Sequence, residues 1–130
     1  MDQDIFEING GNFDDFDGFI REFNRVFISR LGVEWNGNLD AFNDYLYWPE
    51  APYTIKWRKS WKSRLDLGYE ATITWYLRKL LETDRPSKNQ FFWDQLDTAR
   101  KHDGPTLFDW LVDMIRDNSP HATLELDDGL

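Results

Sequence analysis

Apolar residues between positions 13 and 31 recur three or four residues apart, the spacing of one face of an α-helix: Phe16, Phe19, Ile20, Phe23 and Phe27. The stripe predicts a long helix whose aromatic side chains face a core. Asn12 is the predicted N-cap, because a short polar side chain there accepts hydrogen bonds from the first helical amides. Gly32 is predicted to end the helix just past Arg30.

A second, shorter helix is predicted after Asn38, its N-cap, within the stretch NGNLDAFNDYL of residues 36–46. At about 100° per residue, its apolar side chains fall on one side: Leu39, Phe42, Tyr45 and Leu46. The opposite side carries carboxylates, an amide and a phenol: Asp40, Asn43, Asp44 and Tyr47. The stretch contains neither Lys nor Arg, so this side is predicted to present unpaired acids to solvent or to a partner.

Apolar runs of strand length occur near both ends and in the middle of the chain, at residues 4–8, 53–57 and 122–126. Further helices are predicted between them, up to about Leu65, from about Gly68 to Leu81, over 89–102 and from 106 to 118. The last helix has its own apolar stripe: Leu107, Trp110, Leu111, Met114 and Ile115. Strands separated by helices predict an α/β fold, a small three-stranded parallel sheet packed with several helices. The 130 residues are expected to form one domain, 1–130.

The balance of acidic and basic residues indicates which class of partner the chain would attract. The chain has 24 Asp and Glu against 15 Lys and Arg, a formal net charge of −9. Such a field repels nucleic acid and anionic lipid and favours encounter with a basic protein, although the same charge also serves solubility. The absence of Cys excludes disulfides and suits a reducing compartment. The acidic N-terminus is unlike a secretory signal, so a cytoplasmic location without membrane attachment is expected.

The candidate chemistry is sparse. His102 and His121 are isolated, so neither a metal site nor a cofactor is expected. Asp40 and Asp44 would make a poor acid–base pair, since neighbouring positions on one exposed side do not separate two pKa values. Asp127 and Asp128 are interpreted as a frayed acidic end. No catalytic residue is predicted.

Two other groups of residues have competing interpretations. A run of basic residues is interleaved with Trp57 and Trp61, and internal salt links or a solvated face are favoured over nucleic-acid binding: Lys56, Arg58, Lys59, Lys62 and Arg64. Phe91, Phe92 and Trp93 stand in succession on the predicted helix 89–102. They are expected to reach the core of a monomer, and a homodimer through this helix is the alternative.

The stretch WNGNLDAFNDYL, residues 35–46, resembles the second-helix segment of the barstar family, bacterial intracellular inhibitors of ribonucleases. Members of that family carry an aromatic residue, then Asn-Leu-Asp-Ala, then a second Asp four positions on. The order of elements is similar too, from an N-terminal strand ending in ING to a closing apolar strand. The resemblance covers about residues 4–81 and 106–126, with 82–105 as a helical insertion.

The resemblance implies a three-stranded parallel sheet with helices, and binding without catalysis. In that family the motif helix blocks the active site of a basic, secreted ribonuclease, and its carboxylates take the place of RNA phosphates. The role carries over to Asp40 and to Asp44, the expected central anchor. Trp35 matches an aromatic contact position and Asn38 the motif Asn. Asp113 and Asp117 would extend the acidic surface.

The chain departs from the family at Asn43, where barstar has an aromatic residue, and at Asn36, where barstar has Gly. The predicted partner-binding residues are Trp35, Asn38, Asp40, Asn43, Asp44 and Tyr47. The predicted function is a ribonuclease inhibitor acting as an immunity protein, or antitoxin, against an extracellular or toxin ribonuclease. A non-inhibitory acidic module that binds another basic protein is the first alternative. A hydrolase using the carboxylates is the second.

Overall fold

Three parallel strands form the sheet: β1 (Asp4–Asn9), β2 (Tyr53–Arg58) and β3 (Ala122–Asp127), with β2 in the centre. The architecture is that of a computed structural model, which describes residues 4–82 and 90–128. Phe6 pairs with Ile55, and Ile55 with Leu124. The predicted α/β class and parallel sheet are confirmed, and each strand runs one residue beyond its predicted end.

The described helices are α1 (Phe16–Val26), α2 (Leu39–Tyr47), α3 (Ser60–Asp66), α4 (Tyr69–Glu82), α5 (Gln90–Arg100) and α6 (Leu107–Asp113). Short 3-10 turns occupy Gly10–Asn12 and Ile28–Leu31, and a π-helical turn follows α6 at Met114–Asn118. The predicted polar break at 83–89, with the first residue of the predicted helix 89–102, lies outside the described residues.

The two faces of the sheet differ. Inward-facing side chains such as Ile8, Ile55 and Trp57 are fully buried beneath the helices. Ile5, Glu7 and other residues of the opposite face are exposed. Parallel sheets are usually covered on both faces. One face of this sheet is open, so its strands alternate between buried and exposed residues as the strands of a one-sided sheet do.

The aromatic stripe of α1 forms the centre of the core, as predicted. The Phe19 ring stacks on Trp57 with their centroids 5.2 Å apart, and Phe23 meets Phe42 of α2 at 4.9 Å. Contacts between these rings join the sheet, α1 and α2. The periodic pattern of the sequence predicts which side of each helix is apolar, but not which rings touch. The core therefore holds α2 by its inner side.

The start of α1 differs from the prediction. Asp15, not Asn12, is the N-cap, and its carboxylate accepts a hydrogen bond from the Gly18 amide at 2.7 Å. Asn12 instead donates to the buried carboxylate of Glu22, at 3.2 Å to Oε2. The same oxygen accepts the Asn9 amide at 2.9 Å. Glu22 thus ties the end of β1 to α1, and a buried carboxylate needs such donors.

Two cations of the basic run, Arg58 and Lys62, form internal ion pairs. Arg58 pairs with Glu7 at 3.0 Å and with Asp127 at 3.5 Å across the open face of the sheet. Lys62 bridges Asp14 at 2.9 Å and Asp66 at 2.5 Å. The favoured interpretation is therefore confirmed for these two cations. The frayed-end interpretation is wrong for Asp127, which lies within β3.

Helices α4 and α5 form a hairpin with a small core of its own. Tyr76, Leu80 and Leu96 are its buried members, and Trp110 of α6 packs against them and against the main core. At the open end of the hairpin, Tyr69 stacks on His102 with centroids 5.0 Å apart. The expectation that all three rings at 91–93 reach the core is wrong: Phe91 is 66% exposed.

Candidate functional site

The connection that leads into α2 is fixed by side chains of α1. The Asn24 amide donates to the Trp35 carbonyl at 2.8 Å, and its oxygen accepts the Trp35 backbone amide at the same distance. Gly37 has φ of 97°, and a Cβ there would lie 2.5 Å from Cδ1 of Ile20. Glycine is the residue that fits this backbone shape and this close approach.

Trp35 is the first of the predicted partner residues, and it is not on the surface. Its ring is 1% exposed and packs among the aromatic rings of α1 and α2. Its Nε1 donates to the Asn38 carbonyl at 2.7 Å. The expectation that Trp35 contacts a partner is therefore corrected, because a fully buried indole offers no area to another protein. Trp35 positions the start of α2 instead.

Asn38 caps α2 as predicted. Its Oδ1 accepts the Ala41 amide at 2.9 Å, while the Asn36 side chain accepts the Asn38 amide at 3.0 Å. Two successive side-chain caps fix where the helix begins. Asn38 remains exposed, so its predicted contact with a partner stays a prediction.

The other end of α2 is anchored from the sheet. The Tyr53 hydroxyl donates to the Leu46 carbonyl at 2.6 Å, and the Ser119 hydroxyl donates to the same oxygen at 3.0 Å. Phe42 and Leu46 are fully buried on the inner side of the helix. With both ends bonded and one side packed, α2 is a rigid support for its outer side.

The outer side of α2 carries the two carboxylates. Asp40 and Asp44 are exposed, and neither forms an ion pair with any residue of 4–82 or 90–128. Tyr47 beside them is 48% exposed. Between Arg30 and Lys56 the chain contains no basic residue, so no cation near in sequence compensates these acids. We call Asp40, Asp44, Tyr47 and the adjoining Trp48 the acidic helix face.

Asn43 departs from its predicted place at the middle of that side. It is half-buried, and its Oδ1 is shielded from solvent without a hydrogen-bond donor among the described residues. Its predicted role as an exposed partner contact is accordingly reduced to the part of its amide that reaches the surface.

Trp48 is the member that sequence reasoning missed. Its ring is 50% exposed and meets Tyr45 edge-on at 5.1 Å. It follows Asp44 by four positions, the spacing that puts two side chains on the same side of a helix. That spacing is present in the sequence, but the helix is predicted within residues 36–46, which stop short of Trp48. The exposed indole adds an apolar contact area next to the acids.

A cleft of about 500 Å³ adjoins the N-terminal end of α2, between α1 and α4. Two cations of the cleft pair with acids of its lining: Arg78 with Asp17 at 3.1 Å and Lys79 with Glu82 at 3.5 Å. The hydrogen bond from Arg78 holds the pKa of the Asp17 carboxyl below its usual range. The paired acids of the cleft contrast with the unpaired acids of α2.

The described residues contain no cluster of three or more His, Asp or Glu arranged to hold a metal ion. Within the same residues, no helix combines the length and apolar character required to cross a membrane. Comparison of the chain with protein-family models, with curated proteins and with solved structures yields no match in any of the three.

Proposed function

We propose that this protein is a barstar-like inhibitor of a basic bacterial ribonuclease and acts in the cytoplasm as an immunity protein. The observation that carries the proposal is the acidic helix face, where Asp40 and Asp44 stand exposed and without ion pairs among the described residues. The partner is a protein whose active site gathers the cations that bind RNA phosphates.

Charge favours this class of partner. An enzyme that binds RNA concentrates Arg, Lys and His at its active site, and carboxylates form strong charge-assisted hydrogen bonds with such groups. The net charge of −9 speeds encounter with a basic protein and disfavours direct binding of RNA by the inhibitor itself. Tyr47 and Trp48 supply aromatic area of the kind enriched in protein interfaces.

Rigidity favours tight binding at the same place. The caps at Asn36 and Asn38 and the bonds to the Leu46 carbonyl fix both ends of α2 before any partner arrives. A surface that is already ordered loses less conformational entropy on association. The carboxylates therefore meet a partner without a loop first having to fold.

Catalysis is less well supported by the same groups. Asp40 and Asp44 share one exposed environment, which does not divide the roles of acid and base. In the neighbouring cleft, Asp17 is engaged by Arg78 and its pKa is lowered, which suits an ion pair better than a general acid.

The test is inhibition of RNA cleavage by a panel of small basic bacterial ribonucleases, titrated with the wild type and with two variants. Asp44→Ala removes the central carboxylate and should raise the concentration needed for inhibition about 30-fold or more, as the loss of a central interface residue does. Asp97→Ala removes an exposed carboxylate from α5 and should inhibit like the wild type. Circular dichroism checks that both variants are folded.

Equal inhibition by wild type and Asp44→Ala would refute the assignment of the acidic helix face. Failure of the wild type to inhibit any enzyme of the panel would favour the alternative, a non-inhibitory module that docks on another basic protein. A pull-down with immobilised wild type and Asp44→Ala would then identify proteins that depend on this carboxylate.

A further inference from the structure

The outer edge of β3 presents backbone groups that the sheet does not use. In the ladder between β2 and β3, the Tyr53 amide donates to the His121 carbonyl at 2.9 Å, so the odd-numbered residues of β3 turn their backbone groups towards β2. The even-numbered residues turn theirs outward: Ala122, Leu124 and Leu126. Among the residues that the structure describes, no other element forms a hydrogen bond with these outward groups.

The side chains of β3 are also less covered than those of β1, the other edge strand. The inward-facing Phe6 and Ile8 of β1 are buried, and the outward amide of Asn9 already donates to Glu22 at 2.9 Å. The inward-facing side chains of β3 pack on the main core but are all only half-buried: Ala122, Leu124 and Leu126. An exposed strand edge of this kind can pair with a further strand.

The sequence of β3 is complementary to a second copy of itself. In an antiparallel pair centred on Leu124, the two copies of Leu124 face each other, and Ala122 faces Leu126 of the second copy. This register contains three hydrogen-bonded rungs, which use all the outward backbone groups of the edge. Its rungs also set apolar side chains opposite apolar side chains.

The charged residues of β3 agree with the same register. On the open face of the sheet, Glu125 lies opposite Thr123 of the second copy, and Asp127 lies opposite His121, so no two acids oppose each other. A shift of two residues in either direction leaves only two of the three rungs within the strand. One of these shifts also sets the two copies of Glu125 against each other, which is unfavourable.

We propose that two copies of this protein pair antiparallel through β3 and join their sheets into one continuous six-stranded sheet. A two-fold axis at Leu124 makes the interface identical on both sides. The pairing gives hydrogen-bond partners to the outward amides and carbonyls, and it adds apolar contacts beside the half-buried leucines. The proposal is independent of the proposed inhibitory function, because Asp40 and Asp44 lie on α2.

Sedimentation equilibrium of the full chain tests the dimer, at about 0.15 M salt to screen the repulsion between two acidic copies. We expect the mass to rise with concentration from 15.6 kDa towards twice that value. Thr123 is exposed, so its substitution leaves the core of the monomer unchanged. Thr123→Glu should raise the dimer dissociation constant about tenfold and Thr123→Lys should lower it about tenfold, because each new side chain faces Glu125 of the second copy and the pair occurs twice.

The matched controls change the net charge by the same amount on the opposite edge strand. Ile5 is 61% exposed on the same open face, and it belongs to β1. Ile5→Glu and Ile5→Lys should therefore dimerise like the wild type. Circular dichroism verifies that each of the four variants remains folded.

A wild-type mass that stays at 15.6 kDa at every concentration would overturn the proposal. A dimer to which Thr123→Glu and Thr123→Lys respond alike would also overturn it, and so would a dimer that Ile5→Glu weakens equally, because the contact would then lie elsewhere. The experiment contains no ribonuclease and leaves Asp40 and Asp44 unchanged. Its failure is therefore distinguishable from a failure of the inhibitory function.

Discussion

A single phenol links the sheet to the candidate site. Tyr53 is 1% exposed, and its hydroxyl holds the last turn of α2 through the Leu46 carbonyl. Burial raises the pKa of Tyr53 to about 12. In the unfolded chain the phenol ionises near pH 10, so the folded state retains its proton where the unfolded state loses it. The stabilising contribution of Tyr53 is therefore complete below pH 10 and lost as the pH rises through 12.

Tyr53→Phe should remove that part of the alkaline pH dependence. We expect the free energy of unfolding of the wild type to fall by about 2 kcal/mol more than that of the variant between pH 10 and pH 12. Urea unfolding at a series of pH values measures the difference. Tyr47→Phe, at an exposed position, is the control and should follow the wild type. Parallel pH profiles for the wild type and Tyr53→Phe would contradict the assignment.

At the scale of elements, α2 is well capped at its N-terminus but carries two like charges, Asp40 and Asp44, four residues apart. Asp40 lies in the first turn, where the helix dipole favours an acid, but Asp44 lies one turn on. Two like charges four residues apart cost a helix roughly 0.2–0.5 kcal/mol. Stability alone gives no reason for the pair, whereas binding to a cationic surface does.

Asp44→Asn should consequently stabilise the protein while weakening its binding to a basic partner. We expect the free energy of unfolding to rise by roughly 0.2–0.5 kcal/mol at low salt, because the repulsion from Asp40 is removed. Thermal unfolding of the wild type and the variant measures this gain. High salt provides the control, since screening should shrink the gain. A destabilised variant would mean that Asp44 makes a folding contact.

At the scale of the whole molecule, two apolar cores of unequal size are joined through Trp75 and Trp110. The main core contains side chains of the sheet, α1, α2 and α6 and is also packed by Ala71 and Trp75 of α4, whereas the clustered apolar side chains of α5 belong only to the second core. A small core has fewer buried apolar contacts, so its local opening costs less free energy. The hairpin is thus the element expected to open first.

Hydrogen exchange should reveal the difference as faster exchange of α5 amides than of α1 amides. The physical reason is the smaller apolar area that holds α5 in place. The measurement compares the two sets of amides in the wild-type chain. Equal protection of the two helices would mean that the molecule opens as one cooperative unit.

The sequence by itself determined the local faces of the elements. Periodicity placed the α1 stripe inward and Asp40 and Asp44 outward. The order of strands and helices predicted the parallel sheet. These features follow from the sequence because they depend on neighbours within a few residues. Tertiary structure alone decided that Trp35 is buried, that Asn12 serves Glu22, and that Phe91 is exposed. Each of those outcomes depends on which distant residues fill the surrounding space, and a local pattern does not contain that information.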